Sequence, residues 1–238
     1  MTAREVQAAM EALPAVDLDI ILGRERPLIL APHADDESLG CGGLIAASCA
    51  RGRQPFIVIL TDGTMSHPGS KEYPPQRLRE VRAAEAQQAV AKLGLAPENL
   101  AFFAYPDTAL PVDPAVSEKI AALAHQQGCT VILAPWVYDP HCDHEAAAIL
   151  AREAAKAADC KLMSYPVWGW LLPPDQVLPV NQVTGFRLPI APHLETKRFA
   201  VAAHASQYSN LIQDSPDGFR LPRELLSIFE RPYEVFLT

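Results

Sequence analysis

The chain has 238 residues, of which 49% are hydrophobic and 20% are charged, a balance that excludes an intrinsically disordered protein. Twenty-eight Asp and Glu residues against 20 Lys and Arg give a formal charge of −8, which argues against binding nucleic acid or an anionic membrane over a broad surface. The first residues lack a long apolar core and no apolar run is long enough to span a bilayer, so we expect a cytoplasmic protein with no secretory signal and no membrane anchor.

Buried strands and helices alternate along most of the chain. In chain order the predicted elements are helix Ala3–Leu13, strand Pro27–Ala31, helix Leu44–Arg51, strand Pro55–Leu60, helix Gln76–Leu93, strand Leu100–Ala104, helix Val116–Gln127, strand Thr130–Ala134, helix His144–Ala158, strands Lys161–Tyr165 and Thr184–Leu188, helix Leu194–Ala205 and edge strand Tyr233–Leu237. Continuous apolar runs such as PFIVIL are typical of parallel strands that are covered on both faces. The pattern predicts an α/β fold, a Rossmann-like and mostly parallel sheet with helices on both faces, as one domain over residues 1–238. The Pro-rich segment Val167–Pro192 is less regular and is interpreted as a lid or a small appended region.

The cysteine pattern argues against disulfide chemistry. The count is odd at five, and no two cysteines have C-x-x-C spacing. We therefore expect free thiols, and a metal site would have to use other ligands.

A first group of metal-ligating side chains follows the first predicted strand. His33, Asp35, Asp36 and Glu37 lie between the apolar run LILA and the run GCGG, which is predicted to be a glycine-rich turn before the helix Leu44–Arg51. Acidic side chains in such apolar surroundings are costly to bury unless another charge compensates them. A divalent cation is the natural compensation.

A second group follows the strand Thr130–Ala134. His141 and His144 lie three residues apart, where a loop enters a helix, so they share a face of the first turn. Both groups fall at the carboxyl ends of predicted strands, the edge at which open α/β sheets bind ligands.

Together the two groups supply the residues of a catalytic metal site. Such a zinc site takes three protein ligands and a water molecule. His33, one of Asp35 and Asp36, and one of His141 and His144 complete this set. The remaining carboxylate would act as a general base on the water, and the remaining histidine would donate a proton or stabilise an oxyanion. The inventory predicts metal-assisted hydrolysis.

At these residues the sequence resembles the PIG-L/LmbE-like family of zinc-dependent de-N-acetylases. Pro32–Glu37 fits the family motif [AP]-H-[AP]-D-D-E, and His141–His144 fits the motif H-x-D-H. Three further motifs match in the family's order: T-D-G at Thr61–Gly63, R-x-x-E-x-x-x-A-x-x-x-L-G from Arg82 to Gly94, and K-x-x-A…H-x-S-Q from Lys197 to Gln207. One departure concerns the strand before the Lys-bearing helix, where the family often has an acidic residue and Phe186–Ile190 has none.

The resemblance implies a Rossmann-like fold and hydrolysis of an acetamido group on an N-acetylated amino sugar or glycoconjugate. It also implies roles: His33, Asp36 and His144 hold the zinc, Asp35 is the general base, and His141 stabilises the oxyanion or acts as general acid. Nitrogen and oxygen ligands of this kind also accept Fe²⁺, Mn²⁺ or Co²⁺.

Several side chains elsewhere are predicted to contact the substrate. These are Arg82 (with Arg79 as a competitor), Asp107, Trp168, Lys197 and His204.

Two alternative functions stay open at this point. The same site could cleave a different small amide, such as a thiol conjugate, or act on a lipid-linked sugar. The chain could also be a non-catalytic Rossmann-like module that binds a metal or a nucleotide. The sequence selects neither the sugar nor the oligomeric state, and a homo-oligomer is among the options.

Overall fold

The structure, a computed structural model, describes residues 1–238 and contains one seven-stranded sheet. The strands are β1 (Arg26–Ala31), β2 (Phe56–Thr61), β3 (Leu100–Tyr105), β4 (Cys129–Pro135), β5 (Lys161–Tyr165), β6 (Gly185–Pro189) and β7 (Tyr233–Leu237). Their order across the sheet is β3-β2-β1-β4-β5-β7-β6. The first five strands in this order are parallel, and β7 is antiparallel to both of its neighbours. The predicted Rossmann-like, mostly parallel sheet is confirmed.

Helices cover both faces of the sheet. They are α1 (Ala3–Ala12), α2 (Leu18–Ile21), α3 (Asp36–Ala50), α4 (Pro75–Lys92), α5 (Pro114–Gln126), α6 (Cys142–Ala158), α7 (Leu194–Ala203), α8 (Ala205–Tyr208) and α9 (Arg223–Phe229). Successive strand residues point to opposite faces, so Ile29 packs with α3, α4 and α7 while Leu28 packs with α5 and α6. No helix is both long enough and apolar enough to cross a membrane.

Helix α3 begins eight residues earlier than predicted, at Asp36 instead of Leu44. The sequence pattern indicated a glycine-rich turn there, but the glycines allow close packing within a helix. A Cβ atom at Gly40 would lie 2.2 Å from the Tyr165 ring, and one at Gly43 would lie 2.4 Å from Ile190. The early start places Asp36 in the first turn of α3, where a negative charge is favoured by the helix dipole.

A buried ion pair links α7 to β7. Lys197 Nζ lies 2.7 Å from Glu234 Oε1, and the two side chains are 1% and 2% exposed. Glu234 also accepts hydrogen bonds from the amides of Gly43 and Leu44 at 2.6 and 2.8 Å. Lys197 thus finds its carboxylate partner on β7, the last strand along the chain.

We expect Glu234→Gln to destabilise the fold by about 3–5 kcal/mol, because it leaves the Lys197 ammonium buried without a compensating charge. The matched control is Glu153→Gln, which breaks an exposed pair with Lys156 at 3.1 Å and should cost about 0–1 kcal/mol. Denaturant unfolding of both variants measures the difference. Equal unfolding midpoints would show that the buried pair contributes no more than the exposed one.

The segment Val167–Pro192 packs against the body of the protein. Its buried side chains share a hydrophobic cluster with α1 and β7, and Thr2 forms an antiparallel bridge with Val177. The cluster includes Val6, Met10, Trp170, Leu172, Leu178 and Val235. Within this segment Trp168 lines the cavity described below, so the segment contributes one wall of that cavity.

Candidate active site and metal centre

The two predicted clusters meet at one edge of the sheet. Strands β1 and β4 are direct neighbours, and each carries its cluster just beyond its carboxyl end. The chain runs from β1 towards β2 and β3 on one side, whereas β4 and β5 lie on the other, so this is the point at which the strand order reverses. Open α/β sheets bind ligands in the crevice at such a point.

Two of the predicted ligands, His33 and His144, lie close to the third, Asp36. Asp36 Oδ2 lies 3.3 Å from His33 Nδ1 and 3.2 Å from His144 Nε2. Tetrahedral zinc bonds of about 2.0–2.1 Å place two ligand atoms about 3.3–3.4 Å apart, so the spacing suits such an ion. His144 Nε2 is buried and makes no well-aligned hydrogen bond, although the Asp36 oxygen is near. Nε2 is therefore the atom of His144 that is placed to bind a cation. His141 lies close by, with a ligand atom within 4.8 Å of those of His33 and His144.

Outer carboxylates orient both histidines. Asp139 Oδ2 lies 3.0 Å from His144 Nδ1, and Asp143 Oδ2 and Asp107 Oδ1 lie 3.1 and 3.2 Å from His33 Nε2. Because an ionised carboxylate only accepts hydrogen bonds, each pairing holds the proton on the nitrogen that faces away from Asp36. Sequence reasoning missed the roles of Asp139 and Asp143. The available signal was the presence of two further acids within and beside the H-x-D-H motif.

The electrostatic field at this point favours positive charge. Burial lowers the pKa of His144, but the carboxylates of Asp36 and Asp139 outweigh burial and raise it to about 9. Burial likewise opposes protonation of His33, and its hydrogen bonds to Asp107 and Asp143 raise its pKa well above the ordinary value. The two histidines are contacted by the carboxylates of Asp36, Asp107, Asp139 and Asp143. The negative charge of these carboxylates would stabilise a divalent cation at this point.

Asp35 stands beside the three ligands in a different environment. Burial and the charge of Asp36 raise its pKa to about 6, against the opposing charge of Arg82, whose guanidinium lies 3.7 Å away. Its φ of 143° is in a region that residues with a side chain rarely adopt. The Asp35 amide donates to Glu37 Oε2 at 3.0 Å, and Glu37 Oε1 lies 2.9 Å from His204 Nε2. Buried contacts therefore hold this strained backbone in place.

A cavity of about 220 Å³ opens next to the cluster. Its polar residues are His33, Asp35, Asp36, Ser66, Arg82, Asp107, Thr108, His141 and Gln207, and its apolar residues are Leu39, Met65, Trp168, Phe219 and Leu221. The rings of Trp168 and Phe219 meet edge to face, with centroids 5.7 Å apart. The cavity lining therefore combines charged side chains with a pair of aromatic rings that contact each other, here called the aromatic wall. Of these residues, Met65, Phe219 and Leu221 carried no recognisable signal in the sequence.

The structure brings Arg82, Asp107 and Trp168 to the cavity, as expected of substrate-binding residues. Arg82 donates hydrogen bonds to the carbonyls of Ala34 and Gly63, whereas Arg79 does not line this cavity. Of the two arginines, Arg82 is the one that lines this cavity, and its contact with the substrate stays a prediction.

Two residues predicted to contact the substrate, Lys197 and His204, do not line this cavity. Lys197 is paired with Glu234 in the core, and its ammonium has no exposed surface to offer a ligand. His204 is fully buried beneath Glu37. Its motif partner Gln207 lines the cavity instead. The late motif is therefore correctly linked to the site, but the residue that reaches the cavity is its glutamine.

The fold and the site together define a Rossmann-like α/β protein with a candidate metal centre at the switch point of its sheet. The family model described as PIG-L, GlcNAc-PI de-N-acetylase, matches residues 28–155, just over half of the chain. The chain therefore belongs to the PIG-L family of deacetylases.

Individual relatives agree with this assignment. The chain is 26% identical over 191 residues to diacetylchitobiose deacetylase of Thermococcus kodakarensis, which covers 77% of this chain and 70% of the relative. It is 28% identical over 138 residues to 2'-N-acetylparomamine deacetylase of Streptomyces fradiae, covering 52% of this chain and 50% of that relative. Among solved structures, N,N'-diacetylchitobiose deacetylase from Pyrococcus horikoshii superposes with a TM-score of 0.69 at 20% identity, over 90% of this chain and 84% of that one. The last comparison supports the shared fold.

Proposed function

We propose that this protein is a zinc-dependent N-deacetylase that hydrolyses the acetamido group of an N-acetylated amino sugar or glycoconjugate. The observation that carries the proposal is the position of Asp35. A carboxylate with a pKa near 6 lines a cavity beside three converging metal ligands. A general base works best when its pKa lies near the operating pH.

The metal would be held by His33, Asp36 and His144. When bound, a divalent cation would polarise the attacking water and the acetamide carbonyl. The nitrogen and oxygen donors fit zinc and also admit Fe²⁺, Mn²⁺ and Co²⁺.

In the proposed reaction Asp35 accepts a proton from water, and the oxygen attacks the acetamide carbonyl carbon. The C–N bond then breaks, Asp35 returns the proton to the leaving amine, and acetate, the free amino sugar and the second proton of the water depart. The water thus supplies one acetate oxygen and, through Asp35, the amine proton.

His141 is assigned to the developing oxyanion. Burial and the nearby His33 lower its pKa to about 4, so the ring is neutral near pH 7. Its Nδ1 accepts a hydrogen bond from the Asp143 amide at 3.2 Å, which puts the ring proton on Nε2 as a donor. A neutral ring that donates from Nε2 suits oxyanion stabilisation better than general acid catalysis. This assignment selects between the two roles that the sequence left open.

Cavity shape supports a small sugar as the substrate. A volume of about 220 Å³ is below the range of about 300–1,000 Å³ usual for drug-sized ligands. The aromatic wall at Trp168 and Phe219 can stack on the apolar face of a sugar ring, while Arg82 and Asp107 are placed to contact its polar groups. Gln207 also lines the cavity.

The test is acetate release from a panel of N-acetylated amino sugars, their short oligomers and glycoconjugates. Metal-stripped protein is assayed with and without added zinc. We expect release that depends on zinc and is abolished by a chelator. Zinc binding with cleavage of a different amide, such as a thiol conjugate, would contradict the substrate class. Tight nucleotide binding without hydrolysis of any amide would contradict the enzymatic proposal itself.

A further inference from the structure

Asp139 is the hub of a buried hydrogen-bond network that touches two parts of the site. Its carboxylate is 3% exposed and lies in the loop between β4 and α6. Oδ2 contacts His144 Nδ1 at 3.0 Å and accepts hydrogen bonds from the amides of Val167 and Trp168 at 2.9 and 3.1 Å. Oδ1 accepts a hydrogen bond from the amide of Gly169 at 2.7 Å. One side chain therefore binds a predicted metal ligand and three consecutive amides.

The contact with His144 determines which ring nitrogen is free. The Asp139 carboxylate accepts from Nδ1–H, so Nε2, which faces the Asp36 carboxylate 3.2 Å away, is the ring nitrogen available to a metal ion. Nε2 is the buried atom that has no hydrogen-bond partner. Asp139 thus keeps His144 in the tautomer that a metal ion requires.

The three amides belong to the turn that carries the aromatic wall. They precede and begin the short 3-10 helix Trp168–Leu171, and Trp168 lines the cavity. The turn packs so tightly on Asp139 that a Cβ atom at Gly169 would lie 2.8 Å from Oδ1 and 2.7 Å from the Trp136 ring. A displacement of the Asp139 carboxylate would therefore move Trp168.

We propose that Asp139 is a positioning residue that couples the metal ligand His144 to the substrate-facing wall at Trp168. The orientation of the metal ligand His144 and the position of Trp168 in the aromatic wall then depend on the same carboxylate. This inference rests on the metal site of the proposed function and not on the identity of the substrate.

The first test is Asp139→Asn, a change of nearly equal size in which one oxygen becomes an NH₂ donor. Whichever way the amide points, it opposes either His144 Nδ1–H or the Gly169 amide. Zinc affinity is measured without substrate, by competition with a chromophoric chelator, and we expect the Kd to rise by about 10–100-fold. The position of Trp168 is followed by fluorine NMR of metal-free, 5-fluorotryptophan-labelled protein, with the resonance assigned through Trp168→Phe. We expect this resonance to shift.

Asp143→Asn is the matched control. Asp143 is also a buried partner of a histidine ligand, but its other contacts are the amides of Thr108 and Leu110. We expect it to weaken zinc binding and to leave the Trp168 resonance in place.

Gly169→Ala tests the coupling from the other end, and it keeps the inference testable if Asp139→Asn does not fold. The new methyl group presses on Asp139 and on the Trp136 ring, although residue 169 makes no contact with His144. A several-fold rise in the zinc Kd is expected. The inference is overturned if Gly169→Ala binds zinc as the wild type does, or if Asp139→Asn weakens zinc without shifting Trp168. Neither readout uses a substrate, so a wrong substrate class would leave both unchanged.

Discussion

Replacing Asp35 by Asn is expected to lower kcat by about 10²–10⁴-fold while the protein keeps its metal. The amide has nearly the same size but cannot accept a proton from water at neutral pH. Asp35 is outside the set of three converging ligands, so zinc content should stay at the wild-type level. Thermal stability should be equal or higher, because burial and the neighbouring charge of Asp36 disfavour an ionised Asp35 more than Arg82 favours it. Acetate release, metal analysis and thermal unfolding measure these three quantities.

Asp159→Asn is the matched control for this change. Asp159 also has a positive φ, 51°, but it is an exposed residue at the C-terminal end of α6. Its replacement by Asn, which tolerates that conformation well, should leave kcat unchanged. Turnover of Asp35→Asn within a few-fold of the wild type would show that another group takes the proton.

Replacing His144 by Ala is expected to abolish both metal binding and activity. The side chain is fully buried, and its loss removes one of three ligands and leaves Asp36 and Asp139 without their shared partner. The zinc affinity should fall by more than the roughly 10–100-fold that the loss of an outer partner costs. His125→Ala, at an exposed position on α5, is the control and should bind zinc normally.

A ligand-linked stability measurement separates lost binding from lost folding. Zinc at 100 times its Kd should stabilise the wild type by about 2.7 kcal/mol and raise its melting temperature. A folded His144→Ala variant, recognised by its near-UV circular dichroism, should show no such rise. If the variant fails to fold, Asp36→Asn, which is closer in size, provides the same test. A full zinc-induced shift in a folded variant of either kind would remove that residue from the ligand set.

Parts of the site could be predicted because they are local in the chain. Strands β1, β2 and β4 are continuous apolar runs, and the residues that follow a parallel strand must emerge at its carboxyl edge. His33 and His144 could therefore be placed together before the fold was known, although they are 111 positions apart in the chain. The family motifs then distinguished Asp36 from Asp35, a choice that ligand counting left open.

Other parts depend on contacts that no local pattern encodes. The glycines of α3 were interpreted as a turn because their packing partners, Tyr165 and Ile190, are more than 100 residues away. Lys197 has an unremarkable position on a helix, and only the arrival of β7 shows that it is half of a buried ion pair. Phe219 reaches Trp168 from an irregular segment after α8.

The sequence by itself determined the fold class, the two clusters of histidine and carboxylate, and the deacetylase family to which the chain belongs. These features follow from hydrophobic periodicity and from short motifs, which act within a few residues. The tertiary structure alone decided which carboxylate orients each histidine, which residues form the aromatic wall, and that His204 and Lys197 serve the core. Such pairings depend on which distant segments meet in the packed interior. There a buried polar group must find a partner, whatever its distance along the chain.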